Sequence, residues 1–209
     1  PPQNLTLQLS YAFPYKKVGL TDRQAAAYLL DRFAFGARPG DVDMLVQKGL
    51  ERWFEEQLEG KLSENDVNTR LAALPPLTMS NEEIVKTYPN AGFVLREAVQ
   101  DGVIAKDALN NGTPDNATLN DAAMEKAGEN KGKGKQDYRA TLLEYAKSKG
   151  YRQKKELFGA LYAQKLFRAV SSPNQLREVL TDFWFNHFNV SITDNQADQF
   201  VMSYERDAI

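Results

Sequence analysis

Ahead of three of its apolar-periodic segments this chain presents a hydroxyl residue followed three positions later by Gln or Glu. The pairs are Thr21 with Gln24, Ser80 with Glu83, and Ser172 with Gln175. Such a pair starts a helix, because each side chain takes up a backbone N–H that the first helical turn leaves without an intrahelical partner. Glycines follow where helices need a left-handed stop, at Gly36, Gly49 and Gly150. Between these marks the apolar residues step by three and four: Ala25, Tyr28, Leu29 and Phe33, then Val42, Leu45 and Val46, then Leu50, Trp53, Phe54 and Leu58. No stretch after residue 20 sustains the alternation of a strand. The pattern predicts an all-α fold, a compact multi-helix cluster of short amphipathic helices.

The rest of the chain fills in this plan. Residues 1–19 contain proline with some alternation at Leu5, Leu7 and Leu9, and read as an extended surface arm. A short helix is expected from Asp66 to Leu74, where Pro75 and Pro76 stop it. Ser80 opens another that ends before Pro89, and Phe93–Leu109 reads as helical. Residues 110–137 are rich in Asn, Gly, Asp and Lys and nearly lack large apolar side chains. That composition predicts a long mobile insert. Helical spacing returns up to Gly150, again from about Leu157 to Val170, then after Ser172 and Pro173, and finally from Ala197 to Ile209. Residues 20–209 are thus expected to form a single helical domain interrupted by the 110–137 insert.

Composition removes several chemistries. With 209 residues and 42% hydrophobic content the chain can bury a sizeable core. There is no cysteine, so disulfides, thiolate nucleophiles and cysteine-based zinc sites are excluded. The net charge of −2 creates no global field for nucleic acid, and no nucleic-acid partner is expected. No apolar run approaches the roughly 20 residues of a membrane-spanning helix. GxSxG, Walker, dinucleotide and HExxH patterns are all missing. The basic stretch from Lys126 to Lys155 lacks interleaved aromatics in its glycine-rich part and reads as a solvated loop, with anionic-polymer binding as the weaker alternative. Sequons fall at Asn4, Asn111, Asn116 and Asn189, and matter only in a host that glycosylates exported proteins. The chain opens at Pro1 rather than Met, as a mature exported protein freed of its signal peptide would, or a trimmed cytosolic one.

His187 is the one histidine, set within "DFWFNHFNVS". Leu176, Val179, Leu180, Phe183, Trp184, His187 and Phe188 share one helical stripe. Two readings follow. In the favoured one His187 is a buried imidazole in an aromatic core; in the other it is a functional group at a pocket rim. A single histidine cannot build a histidine-rich zinc site, and a metal would need carboxylates such as Asp182, Asp194 or Asp198. No metal or cofactor is expected. The candidate catalytic residues are His187, Asn186, Asp194 and Arg32, lining a shared cleft. Adjacent acids such as Glu55 and Glu56 diverge on a helix and read as a solvated face.

Two stretches carry a family resemblance. "AAYLLDRFAFGARPGDVDMLVQKGLERWFEEQL" has an Arg-x-x-Phe-Gly turn, an acidic helix and a helix with Trp, Gln and Leu; "QLREVLTDFWFNHFNVS" has Gln-Leu-Arg-Glu followed by Phe-Trp-x-Asn-His-Phe. In this order, with "YERDAI" after them, they resemble the bacterial family known as domain of unknown function 1800. The resemblance implies an all-helical, exported protein, periplasmic, cell-surface or secreted. Its implied partners are an exported sulfatase-like protein or an envelope polymer. It supplies no catalytic residues. The family continues with an Asn-Glu-x-x-Ala-Arg-Glu-Leu helix, so this chain is expected to be the N-terminal portion of a larger helical domain. The functional expectation is a binding or scaffolding module of the cell envelope. The alternative is part of a polysaccharide-active enzyme whose site a C-terminal region completes.

Overall fold

The computed structural model describes residues 12–111, 137–188, 190 and 197–209. Among the described residues there are ten α-helices and no strand: α1 (Asp22–Phe33), α2 (Asp41–Lys48), α3 (Leu50–Glu59), α4 (Asn65–Leu71), α5 (Asn81–Thr87), α6 (Ala91–Gln100), α7 (Asp137–Ser148), α8 (Lys154–Ser171), α9 (Gln175–His187) and α10 (Val201–Ala208). None of them is long and apolar enough to cross a membrane. The insert expected at 110–137 falls almost wholly outside the described residues. The helices group into two compact units, one drawn from Pro1–Val67 and Phe167–Phe183, the other from Asn68–Leu166 and Trp184–Ile209.

In the first unit, α1 starts as expected. Thr21 Oγ1 accepts the Gln24 amide while Gln24 Oε1 accepts the Thr21 amide. The buried face of α1 is Ala25, Ala26, Leu29 and Leu30, and it meets Leu45 of α2 and Leu50 and Trp53 of α3. The two alanines hold no bulk between the backbones, so the helices approach closely. Burying Trp53 removes a large aromatic surface from water, which stabilises by about 2–3 kcal/mol. Phe54 bridges Phe13 and Phe33 with ring centroids 5.5 and 5.0 Å away. One expectation changes here. Residues Tyr15–Val18, predicted within an extended arm, wind into a 3-10 turn ended by Gly19 at φ 80°. Phe13 and Tyr15 pack against the core of this unit, and the Phe13 amide donates to Glu51 at 3.1 Å, so this part of the segment is anchored.

In the second unit, Ser80 and Glu83 cap α5 reciprocally. Asn90 caps α6 by accepting the Phe93 amide at 2.7 Å. The segment from Phe93 to Leu109 is not one helix. It stops at Gln100, Gly102 turns at φ 73°, and a 3-10 turn covers Lys106–Asn111. The core is the apolar face of α6 against Leu142, Tyr145 and Ala146 of α7. Buried Tyr145 donates its hydroxyl to Asp101 at 2.8 Å and half-buried Tyr151 donates to Glu97 at 2.7 Å, whereas the hydroxyl of fully buried Tyr88 has no hydrogen-bond partner among the described residues. Burial and the Glu97 carboxylate together push the Tyr151 phenol up to about 12. Deeper in this unit Lys154 and Asp198 form an ion pair at 2.7 Å, with side chains only 7% and 5% exposed.

Candidate functional site

The first unit holds a cleft of about 290 Å³. Its construction begins where α1 ends. Ala34 is extended at φ −138°, and Gly36 and Gly40 take φ of 96° and 89°, conformations that a β-carbon would oppose. Between them Arg38 closes the turn by donating its amide and Nε to Asp41 Oδ2 at 3.0 and 2.9 Å. Arg38 Nη1 also donates to the Val170 carbonyl at 3.0 Å, in the last turn of α8. A cation is favoured there because the final carbonyls of a helix lack intrahelical partners.

Two glutamines complete the walls. Gln175 donates its amide nitrogen to the carbonyls of Ser172 at 2.7 Å and Ala169 at 3.1 Å, and its oxygen accepts the Phe35 amide at 3.3 Å. Gln57, buried on α3, donates to the Pro173 carbonyl at 2.9 Å and accepts the Leu176 amide at 3.1 Å. One residue thus serves the end of α8 and the other the start of α9. The cleft that results is floored by Leu30, Ala34, Trp53 and Leu62 and edged by Phe35, Arg38, Met44, Lys48 and Val170.

Behind the cleft, Glu64 gathers four donors. Ser172 Oγ donates at 2.7 Å, Asn174 Nδ2 at 3.1 Å, Arg168 Nη1 at 3.4 Å, and Arg177 Nη2 at close range. Burial opposes ionisation of Glu64. The hydrogen bonds, led by that of Arg177, overcome it and hold the carboxyl down to about 2. Glu178, also buried, accepts from Arg168 at 3.5 Å and Arg177 at 3.0 Å. Fully buried Asn174 grips both sides of residue 62, accepting its amide and donating to its carbonyl at 2.9 Å each. Ser172 does not form the predicted capping box with Gln175. Its Oγ accepts the Asn174 amide at 3.1 Å while donating to Glu64, and the helix begins at Gln175, whose side chain returns to the Ser172 carbonyl rather than to its amide.

The aromatic stripe of α9 requires a larger correction. Leu176 is buried, but Leu180, Phe183, Trp184, His187 and Phe188 are exposed, Trp184 by 43% and Phe188 by 54%. His187 stands edge-on to Trp184 at 5.7 Å and to Phe188 at 4.9 Å, while the Trp184 and Phe188 rings stack at 5.4 Å. The interior side of α9 is instead reached through Asn174, Leu176 and Glu178. Helical spacing groups residues on one face, but it does not say which face a neighbour covers. Here the polar face is covered, because Arg168 and Arg177 neutralise Glu178. Phe185, off the stripe as expected, lies half-buried under the Lys165 ammonium, 3.8 Å from its ring centroid.

The other sequence candidates fall in different units or outside the described residues. Arg32 is exposed in the first unit, its guanidinium 5.4 Å from the Tyr28 ring. Asn186 is exposed beside His187 in the second. Asp194 lies outside the described residues. Asp198, considered as a metal carboxylate, is committed to Lys154. Among the described residues no group of three His, Asp or Glu side chains is placed to hold a metal ion. Sequence reading missed Gln57, Glu64 and Asn174. Gln57 did leave a signal: it sits four residues beyond Trp53, on the buried side of α3.

These features define an all-α protein in which two distant sequence signatures close one cleft. Over residues 28–209 the sequence matches the family described as "Protein of unknown function (DUF1800)", and the chain belongs to that family. Comparison with curated proteins gave no match, and comparison with solved structures gave none either.

Proposed function

We propose that this chain is a binding or scaffolding module of an exported protein of the bacterial cell envelope, with the first unit's cleft as its ligand site. One observation supports the reading above others. The polar side chains forming the cleft walls are committed to each other and to helix ends, so the walls are pre-organised before a ligand arrives. Pre-organisation lowers the entropic cost of binding. The ligand in this reading is an envelope polymer or a segment of an exported sulfatase-like partner. The test uses the two tryptophans. Trp184→Phe leaves Trp53, a cleft residue, as the only indole. Peptidoglycan fragments and sulfated polysaccharides are titrated while Trp53 emission is followed, with Gln175→Ala as the loosened-wall control. A shift that Gln175→Ala weakens is expected; an unchanged spectrum with every polymer would remove the cleft from the reading. Finding the native protein only in the cytosolic fraction would refute export.

A second reading has its own observation. His187 is exposed and flanked by two rings, so it can meet a substrate. In that reading the chain is part of an enzyme acting on envelope or extracellular polysaccharide. His187 and Asn186 are the reacting groups there, and Asp194 and Arg32 are further candidates from the sequence. Its test is turnover of polysaccharide by wild type and by His187→Ala. Equal rates would reject it.

A further inference from the structure

We infer that the cleft of the first unit takes a small monoanion with a compact apolar body, a carboxylate carried on a branched or aromatic group. The inference rests on the cleft being the ligand site and adds the chemistry of what enters it.

Shape supplies the apolar half. Phe35, Met44 and Val170 edge the cleft and are exposed by 49%, 41% and 54%, while Leu30 and Trp53 floor it from the core. A volume of about 290 Å³ lies at the bottom of the roughly 300–1,000 Å³ range of small-molecule sites. It holds one compact group, whether free or at the end of a larger ligand.

Charge supplies the other half. The lining carries two cations, Arg38 and Lys48, and one acid, Asp41. Asp41 is committed: its Oδ2 takes the Arg38 amide and Nε, and its Oδ1 faces Nη2 at 3.5 Å. It has little capacity left for a ligand cation. Arg38 has five N–H donors and spends three of them, on Asp41 and Val170. Lys48 gives one of its three to Glu56 at 2.5 Å, and Glu56 also faces Arg52 at 3.5 Å, so one acid serves two cations. The cleft therefore offers spare donors on positive groups and a net positive lining, which favours a carboxylate over an amine or a neutral sugar.

The experiment titrates the full chain carrying Trp184→Phe, following Trp53 emission, with N-acetyl-leucine, N-acetyl-leucinamide and N-acetylglucosamine, each into the millimolar range. The acid is expected to bind at least about tenfold tighter than the amide, to weaken as salt rises, and to lose its advantage in Lys48→Met. Circular dichroism checks that this variant stays helical. Equal binding of acid and amide would overturn the carboxylate assignment while leaving the cleft a binding site. A response to the sugar alone, or to none of the three, would overturn the inference. Only silence toward the envelope polymers as well would bring down the wider reading. To separate a free small acid from the end of a protein chain, a pentapeptide ending in leucine is compared as acid and amide. Tighter binding of the peptide acid than of N-acetyl-leucine assigns the site to a chain terminus.

Discussion

Replacing Glu64 by Gln keeps the shape of the side chain and removes its charge, so it isolates what the carboxylate does for the first unit. Lowering the carboxyl from 4.5 to about 2 corresponds to roughly 3 kcal/mol at about 1.4 kcal/mol per unit. Glu64 itself is only 11% exposed, but Arg177 is 43% exposed, and water screens that pair. The expected loss in Glu64→Gln at pH 7 is therefore about 2 kcal/mol. The direction with pH is fixed by the sign of the shift. The folded-state value lies below the unfolded one, so the contribution is complete above about pH 4.5 and vanishes as pH falls through about 2. At pH 3 wild type and variant should differ by about 1 kcal/mol or less. Other carboxylates held low in the folded state, such as Asp22, Glu83 and Asp101, are common to both proteins and cancel in the difference. Urea unfolding at pH 7, 4 and 3 measures it, with helicity and Trp53 emission in a Trp184→Phe background as probes. A difference below about 0.5 kcal/mol at pH 7, or one that stays constant down to pH 3, would refute the assignment.

Gln57→Leu should cost about 1–3 kcal/mol in the same assay, because it strands the buried Leu176 amide; a neutral result would mean that water or a shifted backbone replaces the glutamine. His187→Ala should change stability by no more than about 0.5 kcal/mol, as an exposed ring should, and a loss of about 2 kcal/mol would restore the buried reading. Lys154→Met should destabilise by about 3 kcal/mol by removing the ammonium that faces buried Asp198, and adding Asp198→Leu should recover most of that. If the double variant is no better than the single one, the pair is not the reason the single one fails.

The legible part of this fold is the part whose physics is local. Thr21 with Gln24 and Ser80 with Glu83 form their caps as read, because every atom involved lies within four residues. Ser172 and Gln175 have the same spacing and do otherwise, because the Gln175 side chain is engaged by the Ser172 and Ala169 carbonyls and by the Phe35 amide, 140 positions away. The stripe through Phe183, Trp184 and His187 is a true helical face, but its exposure depends on which neighbours arrive. The cleft was half-readable. The Phe35–Gly36 turn and the Gln175–Glu178 run stood out as signatures, yet nothing in their spacing says that one glutamine amide joins them across 140 residues.

That long reach has a consequence for synthesis. Ser172 leaves the ribosome 108 residues after Glu64, an interval of roughly 5–20 s at about 5–20 residues per second. During those seconds the first three helices exist without the donors that later neutralise Glu64. The nascent first unit waits, unfinished and acidic at that spot, until Phe167–Phe183 comes back to close it.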